Sequence, residues 1–319
     1  MNKLRIWIVW TMLAASAGMA SIAQANPLNV LWYTYADPLS EYRATIALMA
    51  NTVQTLPYGG GQSWNLTYFD PGSATPDFAA YDVLVIESGE AFRTGAPGAA
   101  LATPDYTGIL GNEALISAAR GDRTFITGAD ADFHAVRGNT GNIGNTAQHA
   151  CAPVITDPAC WDGALGHSVN AINWAANGNG LGIVSFLDGE FDGAYWWMNQ
   201  DSFLHDELTG YVNYSGSDDK PIIDAAEAAL ALNTGLTAQG LSDWNHSFHA
   251  FFDAGIPGYT RIVDSSFRPS FALAIATSAS AAASIAPQAV DLDAPGTLLL
   301  FVLGLGLLAY PLRSRSILK

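Results

Sequence analysis

Between residues 28 and 277, short dense apolar runs alternate with stretches where apolar residues recur every three or four positions. The runs NVLWYTY (29–35), WNLTYFD (64–70), DVLVIES (82–88), RTFITGAD (123–130) and LGIVSFLD (181–188) are strand-length and read as strands. DVLVIES is apolar almost throughout, as expected of a strand buried on both faces. After Asp37-Pro38, a capping residue followed by a first-turn proline, Ile46, Met49, Ala50 and Val53 recur at helical spacing. Helices are also predicted over Asn112 to Ala119, Gly163 to Asn177, Ser202 to Val212 and Pro221 to Leu232. YTRIVDSS (259–266) and SFALAIAT (270–277) would close the sheet as a hairpin. Strands alternating with helices imply a mainly parallel sheet covered on both faces, and right-handed crossovers make it doubly wound. The expectation is a single open α/β domain over residues 26–277.

Both ends stand apart from this pattern. Residues 1–25 carry Lys3 and Arg5, an apolar stretch from Ile6 to Ala17, and Ala23-Gln24-Ala25, the layout of a leader removed by signal peptidase. Residues 278–291 are rich in Ala and Ser and read as a spacer. Residues 292–319 place a Pro-Gly element before an apolar stretch, 297–312, followed by Arg313, Arg315 and Lys319. Sixteen helical residues would span about 24 Å, so flanking arginines must snorkel to cross a membrane. A basic tail after an exported leader puts the domain outside the cytoplasm. This tail resembles the PEP-CTERM sorting signal, which implies recognition by an exosortase, passage through the inner membrane, and delivery to the cell envelope or beyond. Pro295 and Gly296 would belong to the recognised element, with Arg313 and Arg315 behind the span. The family pattern is Pro-Glu-Pro, whereas this chain has Asp293-Ala294-Pro295-Gly296. A permanent anchor is the alternative reading of the same stretch.

Composition narrows the function. The 319 residues carry 13 Lys and Arg against 29 Asp and Glu, for a net charge of −16, with 9 Trp and 50 % hydrophobic residues. Such a chain has ample material for a core, unlike a disordered acidic protein. It lacks the clustered basic residues that nucleic acid needs, so nucleic acid is excluded as a partner. Five of the basic residues lie in the two ends, which makes the body more acidic than the whole chain. Such a body repels anionic polymers and draws cations or basic partners. Cys151 and Cys160 flank a Pro-containing loop, and an oxidising compartment favours a local disulfide between them. There is no GxGxxG after the first strand and no GxxxxGK[ST], so nucleotide binding has no support.

The segments VLWYTY, YDVLVIESG, RTFITGADADFH and ALNTGLTAQGLSDWNHSFHAFF resemble the class I glutamine amidotransferase-like fold, including its ThuA-like branch. That resemblance implies a nucleophilic Cys in the turn after a strand, and the matching turn is Gly128-Ala129-Asp130-Ala131-Asp132. Thiol chemistry needs a thiolate there, so amide transfer is not expected. The resemblance also implies a late His as general base, which would be His249. Asp130, Glu87 and His249 are the candidate catalytic residues. Independently, Asp37, Asp70, Glu87, Asp132 and Asp188 fall at or past strand ends, where open α/β sheets build their sites. Converging carboxylates repel unless neutralised, so Asp37, Asp70, Asp132 and Asp188 are candidate ligands for Ca²⁺ or Mg²⁺; helix capping explains the same residues without a metal. Tyr195-Trp196-Trp197 offers either a sugar-stacking platform or core packing. Two functions remain open: a non-catalytic envelope or matrix protein that binds polysaccharide, and a secreted hydrolase using the strand-end carboxylates and His249.

Overall fold

The computed structural model describes residues 26–34, 46–47, 50, 62–88, 105–129, 131–132, 163–187, 196–215, 221–241, 249–266, 268–283 and 285. The contacts divide the chain after Ala286. The second unit, 287–319, lies outside the described residues, as do the leader, Cys151, Cys160 and the tail residues Pro295, Gly296, Arg313 and Arg315. Among the described residues no helix is long and apolar enough to cross a membrane.

The five predicted runs form strands β1 (Leu28–Tyr33), β2 (Trp64–Phe69), β3 (Val83–Ile86), β4 (Arg120–Thr127) and β5 (Leu181–Phe186). They pair in parallel in the order β2-β1-β3-β5-β4. The fold is therefore an open α/β sheet. Helices α1 (Thr107–Leu110) and α2 (Glu113–Ala119) lie between β3 and β4 in the chain, and α3 (Ala164–Ala176) lies between β4 and β5.

Register assigns the two faces. Tyr33 is level with Phe69 and Ile86, and Ile86 with Ser185, so these four share a face. A Cβ on Gly108 of α1 would meet Tyr33 and Phe69, which puts α1 on that side. On the other face Trp64 donates its indole N–H to Asn173 of α3 at 2.7 Å. The β3-to-β4 and β4-to-β5 connections thus run in opposite directions on opposite faces, which gives both the same hand.

Every residue of α3 is buried, polar ones included. Asn170 ties it to the carbonyls of Leu232 (3.0 Å) and Thr234 (2.9 Å), and Arg123 donates to the Trp174 carbonyl at 2.6 Å. The helix can press onto β5 because residue 182 is glycine: a Cβ there would stand 2.3 Å from the Ala175 carbonyl oxygen.

Beyond β4 the sheet turns antiparallel. β10 (Phe271–Thr277) pairs with β4, and with β9 (Tyr259–Ser265) forms the expected hairpin. β8 (His249–Asp253), β6 (Val212–Ser215) and the two-residue β7 (Pro221–Ile222) complete it. Arg120 at the start of β4 forks onto Glu207 of α4 (His205–Leu208) at 2.6 and 2.9 Å, and Glu207 also takes the Tyr259 hydroxyl.

Two predicted helices are corrected here. Over 202–212 only α4 forms, because Thr209 is extended and Gly210 takes φ +88°. Over 221–232, Pro221 joins β7 and the chain makes only 3₁₀ turns at Glu227–Ala229 and Ala231–Asn233, separated by an extended Leu230. Leu208 and Leu232 are buried all the same. The helical spacing served burial of single turns, not of helices.

Candidate functional site

From β1 the chain goes first to β2 on one side and then to β3 on the other. The crevice outside the carboxyl ends of β1 and β3 is thus the switch point where an open α/β sheet builds a site. One peptide stands at its centre. The Glu87 carbonyl accepts the Tyr106 hydroxyl at 3.1 Å, and the next N–H, of Ser88, donates to the Asp132 carboxylate at 2.8 Å. Glu87, Ser88 and Asp132 are all fully buried. At the end of β1, Tyr33 donates its hydroxyl to the Asp105 carbonyl (2.6 Å) and accepts the Gly108 N–H (3.3 Å), while Thr34 donates to Asp70. Burial pushes the Tyr33 phenol well above its ordinary range; the Gly108 N–H opposes this, and nearby Asp105, Glu87 and Asp70 reinforce it. Tyr33 stays neutral, a donor rather than a base.

The end of β4 meets the same place. Gly128 donates to the Leu273 carbonyl and accepts the Ala250 N–H, both at 2.8 Å. A Cβ on Gly128 would stand 2.0 Å from the Ala250 oxygen, so only glycine permits this junction. The backbone accordingly gathers the ends of β3 and β4 with the start of β8. Of the three candidate catalytic residues, Glu87 lies at the end of β3 and His249 opens β8; the His249 side chain and Asp130 lie outside the described residues. Asp37 and Asp188 lie outside them as well.

Asp70 and Asp132 each give a carboxylate oxygen to a protein donor. A trio of carboxyls within 4.8 Å does occur among the described residues, but it is Asp224, Glu227 and Asp264. Arg261 occupies the cation's role there, with Nε 2.6 Å from Asp264 and 4.0 Å from Glu227. Burial raises the Glu227 carboxyl to about 7, against the Asp224 N–H it accepts and with the help of neighbouring Asp264 and Asp224. The strand-end carboxyls that are described form no such trio.

The aromatic platform is corrected as well. Trp196 and Trp197 are 3 % and 2 % exposed, so neither offers a free face to a sugar. Trp196 packs against Tyr106 (centroids 6.1 Å apart) and Phe203 (5.5 Å), and Tyr106 stacks on Tyr33 (6.1 Å, 27°). His167 is core: it lies edge-on to Phe125, and burial lowers its imidazole to about 3.

Sequence reading missed the partners around the switch point. Buried polar side-chain atoms are nearly always hydrogen-bonded, yet Ser88 Oγ, Ser185 Oγ, Trp32 Nε1 and Trp196 Nε1 have no hydrogen-bond partner. Ser185 and Trp32 are each next to last in their strands, and Ser88 follows β3 by two residues. Only the register shows that Ser185 comes level with Ile86, two residues before Ser88; no local motif marks it.

No family model, curated protein or solved structure matches the chain. The α/β class rests on the sheet geometry itself.

Proposed function

We propose that the chain is an exported cell-envelope or extracellular-matrix protein, sorted by an exosortase, whose amidotransferase-like domain binds polysaccharide instead of catalysing amide transfer. Its leader and tail supply the address. The observation that carries the binding reading is the turn after β4, where Gly128-Ala129-Asp130 offers no thiol and the chain's two cysteines stand at 151 and 160. The strand ends keep buried carboxyls and hydroxyls, which suit hydrogen bonding to a polar ligand.

The test compares the full chain with a chain lacking residues 292–319 in a Gram-negative host that carries an exosortase. The full chain is expected to lose its tail, reach the cell surface and co-sediment with neutral surface polysaccharide; the truncated chain fails to reach it. Identical localisation of the two removes the sorting reading. New reducing ends in the polysaccharide, abolished by Glu87→Gln, would replace the binding module with a hydrolase.

A further inference from the structure

We propose that β2 is a docking edge for a second copy of this chain, the two β2 strands pairing antiparallel about a two-fold axis at Leu66. The proposal is independent of the sorting and polysaccharide readings.

β2 ends the sheet order, and among the described residues it pairs with β1 alone. The backbone bonds fix which of its groups look outward. The Leu28 N–H donates to the Ser63 carbonyl at 2.8 Å, and the Thr34 N–H to that of Phe69 at 2.9 Å. The register between them runs without a shift, so alternation turns Ser63, Asn65, Thr67 and Phe69 towards β1. Trp64, Leu66 and Tyr68 therefore direct their N–H and C=O groups away from the sheet. At Asp70, the next outward position, Ser73 takes both groups: its Oγ accepts the N–H at 3.2 Å, and its own N–H donates to the carbonyl at 3.0 Å. A turn thus marks where the edge stops. Natural edge strands are blunted by a lysine, a proline, a bulge or a covering element. β2 has no charge, no proline and no register shift, and Asn65 and Thr67 are exposed. Leu66 and Tyr68 pack on the core but are only half-buried.

The sequence of the edge selects a second copy. Residues 64–68, WNLTY, run aromatic, polar, leucine, polar, aromatic in either direction. Antiparallel pairing about Leu66 sets like against like, as an isologous contact requires. Each Leu66 N–H meets the C=O of the partner's Leu66. Trp64 lies opposite the partner's Tyr68, and Asn65 opposite the partner's Thr67, both favourable cross-strand pairs. Charge points the same way. Residues 42–69 contain no Asp or Glu, so two chains of net −16 can join these strands without opposing carboxylates. Asp70 falls opposite the partner's Gln62. A basic peptide, which an acidic body otherwise attracts, finds no acid along this strand.

The experiment is analytical ultracentrifugation of the full chain in a density-matched detergent. Two chains per particle are expected at about 0.1 mM. Leu66→Pro should weaken association at least about tenfold, because it removes the N–H that each chain sends across the axis. That N–H plays no part in the β1 ladder, so the circular dichroism should be unchanged. Cysteine pairing reads the register. Asn65→Cys and Thr67→Cys chains, mixed and oxidised, should form a disulfide dimer above the background of Cys151 and Cys160, since such opposite residues stand about 4.5 Å apart. Either variant alone should not exceed that background, because its like residues stand diagonally, about 7–8 Å apart and beyond disulfide reach. A monomeric wild-type chain overturns the proposal and leaves the edge to a foreign strand. A dimer that survives Leu66→Pro overturns it, as does crosslinking no stronger in the mixture than in either variant alone. If Leu66→Pro fails to fold, the mixed-cysteine result decides.

Discussion

Two polar clusters lie inside this domain, and they are built on opposite principles. In the antiparallel half, Asp224 and Glu227 form a reciprocal cap: the Asp224 carboxylate takes the Glu227 N–H at 2.8 Å, and Glu227 takes the Asp224 N–H at 3.1 Å. Arg261 then pairs with Asp264 and donates to the Pro269 carbonyl at 2.9 Å. Charge and hydrogen bonds are settled within the cluster. At the carboxyl ends of the parallel half, Ser88, Ser185 and Trp196 are more deeply buried than Asp224 or Arg261, yet leave donors and hydroxyls unspent. Buried polar groups that find each other hold a fold together. Those that do not are held for something else, or for solvent. The difference separates a stabilising cluster from a candidate site more sharply than acidity does, since both contain carboxylates.

Arg261→Leu breaks the first cluster most severely. It leaves Asp264 and Glu227 buried without their guanidinium, and removing one partner of a buried pair costs about 3 kcal/mol. Urea unfolding should show that loss as a lower midpoint with unchanged slope. A loss under about 0.5 kcal/mol would mean the ion pair is a surface ornament, and the contrast between the clusters would fail on its first side.

The pH dependence sharpens the same side. Glu227 is raised from 4.5 to about 7 in the folded chain, so folding favours its protonated form. Its contribution is fully present below pH 4.5 and is lost as pH rises through 7. Stability should therefore fall over that window by on the order of 2 kcal/mol, and Glu227→Gln should flatten the fall. A Gln variant with the parental profile would show that Glu227 does not hold the proton.

The contrast also explains what could be read from sequence. The five parallel strands were legible because each is a compact apolar run, buried throughout in β3 and β5, and α3 was legible between Gly163 and Asn177. The spacing Asp224-x-x-Glu227 is a capping signature in plain view, yet the apolar positions around it, such as Leu232, read as helix. β6 and β8 were missed because HAFFD and VNYS are short segments whose pairing is decided by distant partners: Phe252 by Val212 and Ala272. Ser185 lies 99 residues after Ile86 in sequence and shares a face with it only through the β3–β5 register. Glu87 and Asp132 were legible as strand-end acids, but not the peptide that links them.

Asp224→Ala removes the cap alone. The Asp224 side chain also takes the Ala226 N–H at 2.8 Å, so two N–H groups lose their acceptor while the ion pair survives. Loss of such a cap costs about 1 kcal/mol, a fraction of the Arg261→Leu effect. Equal losses for the two variants would show the cluster to be one indivisible unit, with the ion pair adding nothing beyond the turn it closes.

The smallest effect is the most discriminating. Ser185→Ala exchanges a fully buried hydroxyl without a partner for a methyl group of nearly the same volume, level with Ile86 and Ile126 in the sheet. A buried hydroxyl that is hydrogen-bonded costs about 1 kcal/mol to delete, whereas an unpaired one is better removed. The expected change is therefore between zero and about 1 kcal/mol of added stability, with an unaltered urea slope. A destabilisation of about 1 kcal/mol would place Ser185 in the same class as Asp224. The two clusters would then differ only in which groups satisfy them, and the strand ends would belong to the scaffold.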